Sequence, residues 1–225
     1  MDIFRTRTKC APTDLVASIP QADIHDDLPE AGLRHVAEAI HRATSIDLRE
    51  ESLLLPLEED RLWFQRWPGE HYRFLRALVM VTKPKLILDV GTYHGASALA
   101  LAVEGSRVVT YDIVSLNEIG NGYTGLVEGK SDIEQRIGNL AESEFFLSQA
   151  TEISEADLIL VDGPKDGKFE YEAVPNILNE MHPGSLLVLD DIRFANMQEL
   201  WKSIPFPRID VGCFAHSTGT GVVFR

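Results

Sequence analysis

The sequence lacks the features that mark several large functional classes. Its 225 residues contain two cysteines, Cys10 and Cys213. They are too few and too far apart for a disulfide framework or a zinc cluster, so both are expected as reduced thiols. Basic side chains are in deficit: 21 Lys and Arg face 35 Asp and Glu, a formal net charge of −14. Phosphate backbones are gripped by Lys and Arg clusters, and none stands out here, which argues against a nucleic-acid partner. No apolar run approaches membrane-spanning length, and Met1–Arg7 is not followed by the apolar stretch of a secretory signal. The expectations are no membrane partner and a cytoplasmic location. Internal repeats and low-complexity tracts are also missing.

What is present suits one α/β unit. A hydrophobic content of 44% can build a sizeable core. Residues 1–60 read as an N-terminal helical cap, with an apolar stripe at Leu33, Val36, Ala37 and Ile40 and helix ends near Pro29 and Thr44. Residues 61–225 read as the main domain. There Trp63, Phe64, Trp67, Tyr72, Phe74, Leu75 and Leu78 lead into a helix that ends before Pro84. Strand-like runs follow at Leu86–Val90, Val108–Tyr111, near Ile137, at Asp157–Val161 and at Ser185–Leu189, with helical patterns between most of them. That alternation predicts a mostly parallel sheet. A helix at Met197–Ser203 and two further runs, Arg208–Val211 and Gly221–Phe224, add a terminal antiparallel hairpin and bring the sheet to seven strands. Gly120, Gly122, Gly125 and Gly129 interrupt the segment around 115–130, where a crossover helix would be expected.

The most informative stretch runs from Leu86 to Ser97: an apolar strand ending in Asp89-Val90, a turn with Gly91 and Gly95, then an alanine-rich helix from Ala96. Glycine lets backbone turn sharply and approach a ligand closely, and a helix start offers free N–H groups. The spacing is Asp-x-Gly-x-x-x-Gly, not the Gly-x-Gly-x-x-Gly of a dinucleotide fold, which favours S-adenosylmethionine over NAD. About twenty residues on, Asp112 ends a second strand where Rossmann-like folds hold a ribose. The plainer alternatives are an ordinary strand-to-helix turn for the glycines and a turn cap for Asp112.

Ligands of open α/β sheets bind beyond the carboxyl ends of the strands. Here those ends are acidic: Asp162 follows Leu158–Val161, and Asp190-Asp191 follow Leu186–Leu189. Three carboxylates at neighbouring strand ends repel one another unless a cation sits between them, and no other counter-charge is evident in the sequence. Oxygen-only ligands suit magnesium, with manganese or calcium as substitutes. Lys165, three residues past Asp162, can serve as general base beside such an ion. The alternatives are that Asp190 or Asp191 caps a helix, that Asp162 begins an Asp-Gly-Pro turn, and that Lys165 is a solvated lysine. Trp63, Phe64 and Trp67 could line a substrate lid or simply pack. His94 is read as solvated.

Together these residues resemble the metal-dependent class I methyltransferases, most closely catechol O-methyltransferase and its bacterial small-molecule relatives, over roughly Gly69 to Ser203. Gly91-Thr92-Tyr93-His94-Gly95-Ala96-Ser97 is similar to that family's Gly-x-Tyr-x-Gly-x-Ser loop. The resemblance implies a Rossmann-like α/β fold. It also implies Tyr93 and Ser97 on the methionine part of S-adenosylmethionine, Asp112 on the ribose hydroxyls, Asp162 as first metal ligand, Lys165 as base, and Asp190-Asp191 as the paired Asp-Asn ligands. Asp89, Gly91, Gly95 and Asp162 complete the expected cofactor contacts. Asp191 stands where Asn is common, as in sugar O-methyltransferases of antibiotic pathways. Gly163 and Pro164 replace the bulky residues that wall a flat catechol, implying a wider pocket.

The reading is therefore an S-adenosylmethionine- and magnesium-dependent O-methyltransferase of secondary metabolism. It would act on a small molecule with adjacent oxygens, a natural-product phenol or a sugar, with a homodimer left open. The rivals are a non-catalytic S-adenosylmethionine-binding protein and, disfavoured by the glycine spacing, an NAD-dependent oxidoreductase.

Overall fold

A computed structural model describes residues 29–119 and 132–225. The four glycines of the 120–129 stretch lie outside the described residues, as does Cys10, while Cys213 is a free, exposed thiol. Seven strands form one sheet: β1 (Leu86–Val90), β2 (Arg107–Asp112), β3 (Ile133–Ile137), β4 (Leu158–Val161), β5 (Leu186–Asp190), β6 (Arg208–Asp210) and β7 (Thr220–Phe224). Their order is β3-β2-β1-β4-β5-β7-β6. The first five are parallel, and β7 runs antiparallel to both β5 and β6. The expected mostly parallel sheet with a terminal hairpin is thus the observed one. β3 reads weakly in sequence because it is an edge strand carrying Glu134 and Arg136.

The helices are α1 (Glu30–Ala43), α2 (Arg49–Ser52), α3 (Glu58–Gln65), α4 (Tyr72–Thr82), α5 (Ala96–Leu101), α6 (Leu116–Ile119), α7 (Ser143–Glu155), α8 (Phe169–Glu180) and α9 (Met197–Ser203). α1 lies between Pro29 and Thr44, and α4 stops at Lys83, left-handed at φ 51°, before Pro84. Central strands read as unbroken apolar runs because both faces of the sheet are covered. On one face Ile87, Leu158, Leu160, Leu186 and Val188 pack with Val36 and Ala39 of α1, Phe74, Leu75 and Leu78 of α4, and Leu99 of α5. On the other, Leu88, Val90, Ile159, Val161, Leu187 and Leu189 meet α7, α8 and α9.

This alternation places the acids. Side chains two apart share a face, so Asp89 follows Ile87, Asp162 follows Leu158 and Leu160, and Asp190 follows Leu186 and Val188 onto the α4 side. The pairing extends past β4, where the Asp162 N–H donates to the Val90 carbonyl at 2.8 Å. The turn before α4 is tied to the β6–β7 hairpin by a bridge between Gly69 and His216, with the Gly69 N–H on the Ala215 carbonyl at 3.1 Å. Among the described residues no helix is long and apolar enough to cross a membrane.

Candidate active site

Gly91 has φ 109°, and a Cβ there would stand 1.9 Å from the backbone oxygen of Asp162. The sequence expectation is that a side chain here would fill ligand space or force an unfavourable backbone angle; the positive φ agrees with the second, and the close approach of the β4 end adds a further reason. Gly95, at φ 78°, caps α5, a helix of only six residues. Beneath the loop a hydroxyl chain holds it down. Thr92 Oγ1 lies 2.6 Å from Thr110 Oγ1, and Thr110 donates to Asp89 Oδ2 at 2.7 Å. Asp89 is fully buried and lines neither cavity described below; burial pushes its carboxyl up to about 7, against the Thr110 and Ser97 hydrogen bonds that lower it. Asp89, which the sequence reading put among the cofactor contacts, thus supports the loop from beneath through Thr110.

Two cavities open at the carboxyl ends of the strands. The larger, about 470 Å³, is lined by Tyr93, Tyr111, Asp112, Ile113, Leu140 and Phe169 among others. The smaller, about 280 Å³, is lined by Asp60, Trp63, Glu70, Tyr72, His94 and Ser97. Gly91, Tyr93 and Asp162 belong to both, so the cavities meet there. Asp112 Oδ2 accepts the Tyr93 N–H at 2.9 Å and Oδ1 accepts the Val114 N–H at 3.1 Å. Tyr93 is left-handed at φ 41° and stacks on His94 with ring centroids 3.7 Å apart. His94 is not solvated as expected: its Nδ1 meets Asp60 Oδ2 at 2.8 Å.

At the junction the acids have partners. Lys165 Nζ donates to Asp162 Oδ1 at 2.6 Å and lies 3.5 Å from Asp191 Oδ2. His71 Nδ1 lies 3.1 Å from Asp190 Oδ1, and His216 Nδ1 lies 3.1 Å from Asp190 Oδ2 and 3.4 Å from Asp191 Oδ1. Thr218 donates to Asp191 Oδ1. Burial pushes the Asp162 carboxyl up, and the charge of Asp190 adds to this. Asp190 moves the other way: burial would raise its carboxyl, but His71 and His216 hold it well below the carboxylate range. For His71 and Lys165, burial favours the neutral form and the surrounding carboxylates outweigh it, raising both. His216 is pushed up to about 11, its hydrogen bonds to Asp190 and Glu70 outweighing burial. The sequence reading, in which the three acids lacked any counter-charge but a metal, is corrected: Lys165 and two histidines supply it.

A family model described as O-methyltransferase matches residues 48–199 of this chain. The chain belongs to the O-methyltransferase family. Catechol O-methyltransferase domain-containing protein 1 of Mus musculus is 28% identical over 137 residues, 59% of this chain and 49% of that protein. The chain thus spans about half the length of this curated relative. Among solved structures, the SAH-bound methyltransferase PaMTH1 of Podospora anserina superposes with a TM-score of 0.53 at 17% identity, covering 88% of this chain and 89% of that one. A methyltransferase from Geobacter sulfurreducens gives 0.50 at 16%, covering 88% and 92%. At these identities the structures speak for the fold.

Within this O-methyltransferase frame, the cavities fit S-adenosylmethionine. Asp112 stands in the larger one beside the apolar walls of Leu140 and Phe169, as a ribose and an adenine require. Ser97, Asp60 and Glu70 offer oxygens to an ammonium in the smaller one. The donor set at the junction also fits a divalent cation. Neither Asp190 nor Asp191 caps a helix, since α9 begins after Asn196 without a side-chain cap. The three acids do not form one set, however. Asp162 and Asp190 group with His71, whereas Asp190 and Asp191 group with His216. The expected oxygen-only site therefore gains imidazole neighbours that sequence reasoning missed. Their signal was weak: His71 follows Gly69-Glu70, and His216 sits in a Gly, Ser and Thr-rich turn, neither at the end of a parallel strand.

Two expectations about the substrate space gain detail. A Cβ on Gly163 would lie 2.6 Å from the Phe169 ring and 2.7 Å from Glu170 Oε1, so this glycine makes room for α8, and with Pro164 it lines the larger cavity. Of the aromatic trio, Phe64 is core and Trp67 packs against it, while Trp63 faces the smaller cavity.

Proposed function

We propose that the protein transfers the methyl group of S-adenosylmethionine to a hydroxyl of a small molecule bearing adjacent oxygens, a natural-product phenol or a sugar. A divalent cation at Asp162 and Asp190, with Asp191 alongside Asp190, would assist. The observation that carries this reading is Asp162: it borders the cavities suited to both ends of the cofactor and pairs with Lys165, so the point between nucleoside and methionine lies beside a titratable amine. Asp112 would hold the ribose hydroxyls, while Tyr93 and Ser97 orient the methionine end. The cation, when bound, would supply positive charge that makes the acceptor hydroxyl more acidic. Lys165 Nζ is held as an ammonium by Asp162 and Asp190. Once those charges are compensated it can lose its proton and accept the one leaving the acceptor. The acceptor oxygen then takes the methyl group, and the sulfonium leaves as a thioether.

The test uses methyl-labelled S-adenosylmethionine with simple catechols, vicinal-diol sugars and polyketide-like phenols, each with and without chelator. The expected result is label in an ether oxygen, lost on chelation and restored by a divalent ion, with cofactor binding by calorimetry retained throughout. Binding of cofactor with no transfer to any acceptor would favour the non-catalytic reading. Full activity in excess chelator would remove the cation from the proposal.

A further inference from the structure

We infer that His71 is a ligand of the cation site beside Asp162 and Asp190, and that this mixed nitrogen and oxygen site takes a first-row transition ion in preference to magnesium. The inference rests on the proposed reading of the carboxylates as a cation site and adds a ligand and the class of ion. His71 is 2% exposed, and neither of its ring nitrogens has a hydrogen-bond partner. Buried polar atoms are nearly always paired, so an imidazole with both nitrogens unsatisfied calls for an explanation. Its Nδ1 stands 3.1 Å from Asp190 Oδ1, near enough for a hydrogen bond but off the line an N–H would take. An ion that displaced the proton of His71 would find its lone pair beside the Asp190 carboxylate, a pairing that suits a shared cation.

One ligand atom each from His71, Asp162 and Asp190 lie within 4.8 Å of one another. Ligand bonds of about 2.0–2.2 Å hold donors about 3.0–3.8 Å apart, so side chains already within that limit need close by no more than about 1–2 Å onto a common ion. The face alternation of the sheet explains the two acids, and the start of α4 explains the histidine. Asp190 is also oriented from outside. Its Oδ2 meets His216 Nδ1 at 3.1 Å, its Oδ1 accepts from Thr220 Oγ1 at 3.2 Å, and His216 Nε2 faces Glu70 Oε2 at 3.4 Å. Outer partners of this kind fix a ligating carboxylate, and their loss weakens metal binding. Magnesium keeps oxygen ligands and water, whereas imidazole suits zinc, cobalt, nickel and iron.

The test uses the full-length, tag-free protein, stripped with chelator and dialysed, without cofactor or acceptor. Calorimetry with Mg2+, Mn2+, Co2+ and Zn2+ gives the affinity order, and pulsed EPR of the Mn2+ complex reads nitrogen coupling directly. The expected result is Co2+ and Zn2+ far tighter than Mg2+, with nitrogen coupling in the wild-type Mn2+ complex. His71→Ala should abolish that coupling and weaken Co2+ binding about tenfold or more, with Mg2+ little changed. His216→Gln should keep the coupling. If His71→Ala does not fold, the wild-type coupling together with its persistence in His216→Gln decides the matter. Mn2+ bound without nitrogen coupling, or coupling lost only in His216→Gln, overturns the inference and leaves the cation site standing. Binding of no divalent ion at all overturns both.

Discussion

Lys165 adopts φ 54°, a conformation that residues with a Cβ seldom take, and the buried Glu170 holds its N–H at 2.9 Å. This fixed loop aims Nζ between Asp162 and Asp191. Lys165→Ala should therefore lower the single-turnover rate by about two to four powers of ten while cofactor affinity stays nearly unchanged. An unchanged rate would give the proton to another acceptor. Asp89 offers a pH test of a different kind. Its carboxyl is raised from 3.8 to about 7 in the folded protein, so between those values the unfolded chain releases a proton that the folded one retains. Stability from this group is complete below the lower value and declines up to the higher one, by about 1.4 kcal/mol per pH unit. Melting curves from pH 4 to 7 should show wild type losing ground to Asp89→Asn. Parallel curves would mean that Asp89 ionises normally.

α5 is too short to be stable alone, and Arg76 of α4 fastens its end. The guanidinium donates to the Ala100 and Leu99 carbonyls at 2.6 and 2.9 Å and to Glu51 of α2 at 3.2 Å. Arg76→Ala leaves buried carbonyls unpaired and should lower the unfolding free energy by about 2–3 kcal/mol in denaturant titration; a change under about 0.5 kcal/mol would show that water replaces the side chain. The elements themselves were legible because their signals are local. Unbroken apolar runs ending in Asp162 and Asp190 mark buried parallel strands, and Pro29, Thr44 and Pro84 mark helix ends. The site was legible only as far as it hangs on those strand ends. His71 and His216 meet through a bridge between segments far apart in sequence, which no local pattern announces. Gly163 has a second role that the sequence did not announce, because an absent side chain can serve a neighbouring helix as well as a ligand.

The whole chain carries a net charge of −14 and gathers four carboxylates, Glu70, Asp162, Asp190 and Asp191, around Lys165 and two histidines. Its cofactor reading predicts a global response. S-adenosylmethionine at a hundred times its Kd should add about 2.7 kcal/mol to the unfolding free energy and raise Tm by a few degrees, with NAD giving no shift. No shift at saturating S-adenosylmethionine would count against the cofactor assignment. The bridge from Gly69 to His216 also imposes a sequence in time. A domain generally folds as a unit, and β7 lies between β5 and β6 in the one sheet. A chain leaving the ribosome therefore cannot close its histidine–carboxylate cluster until the hairpin that carries His216 has emerged.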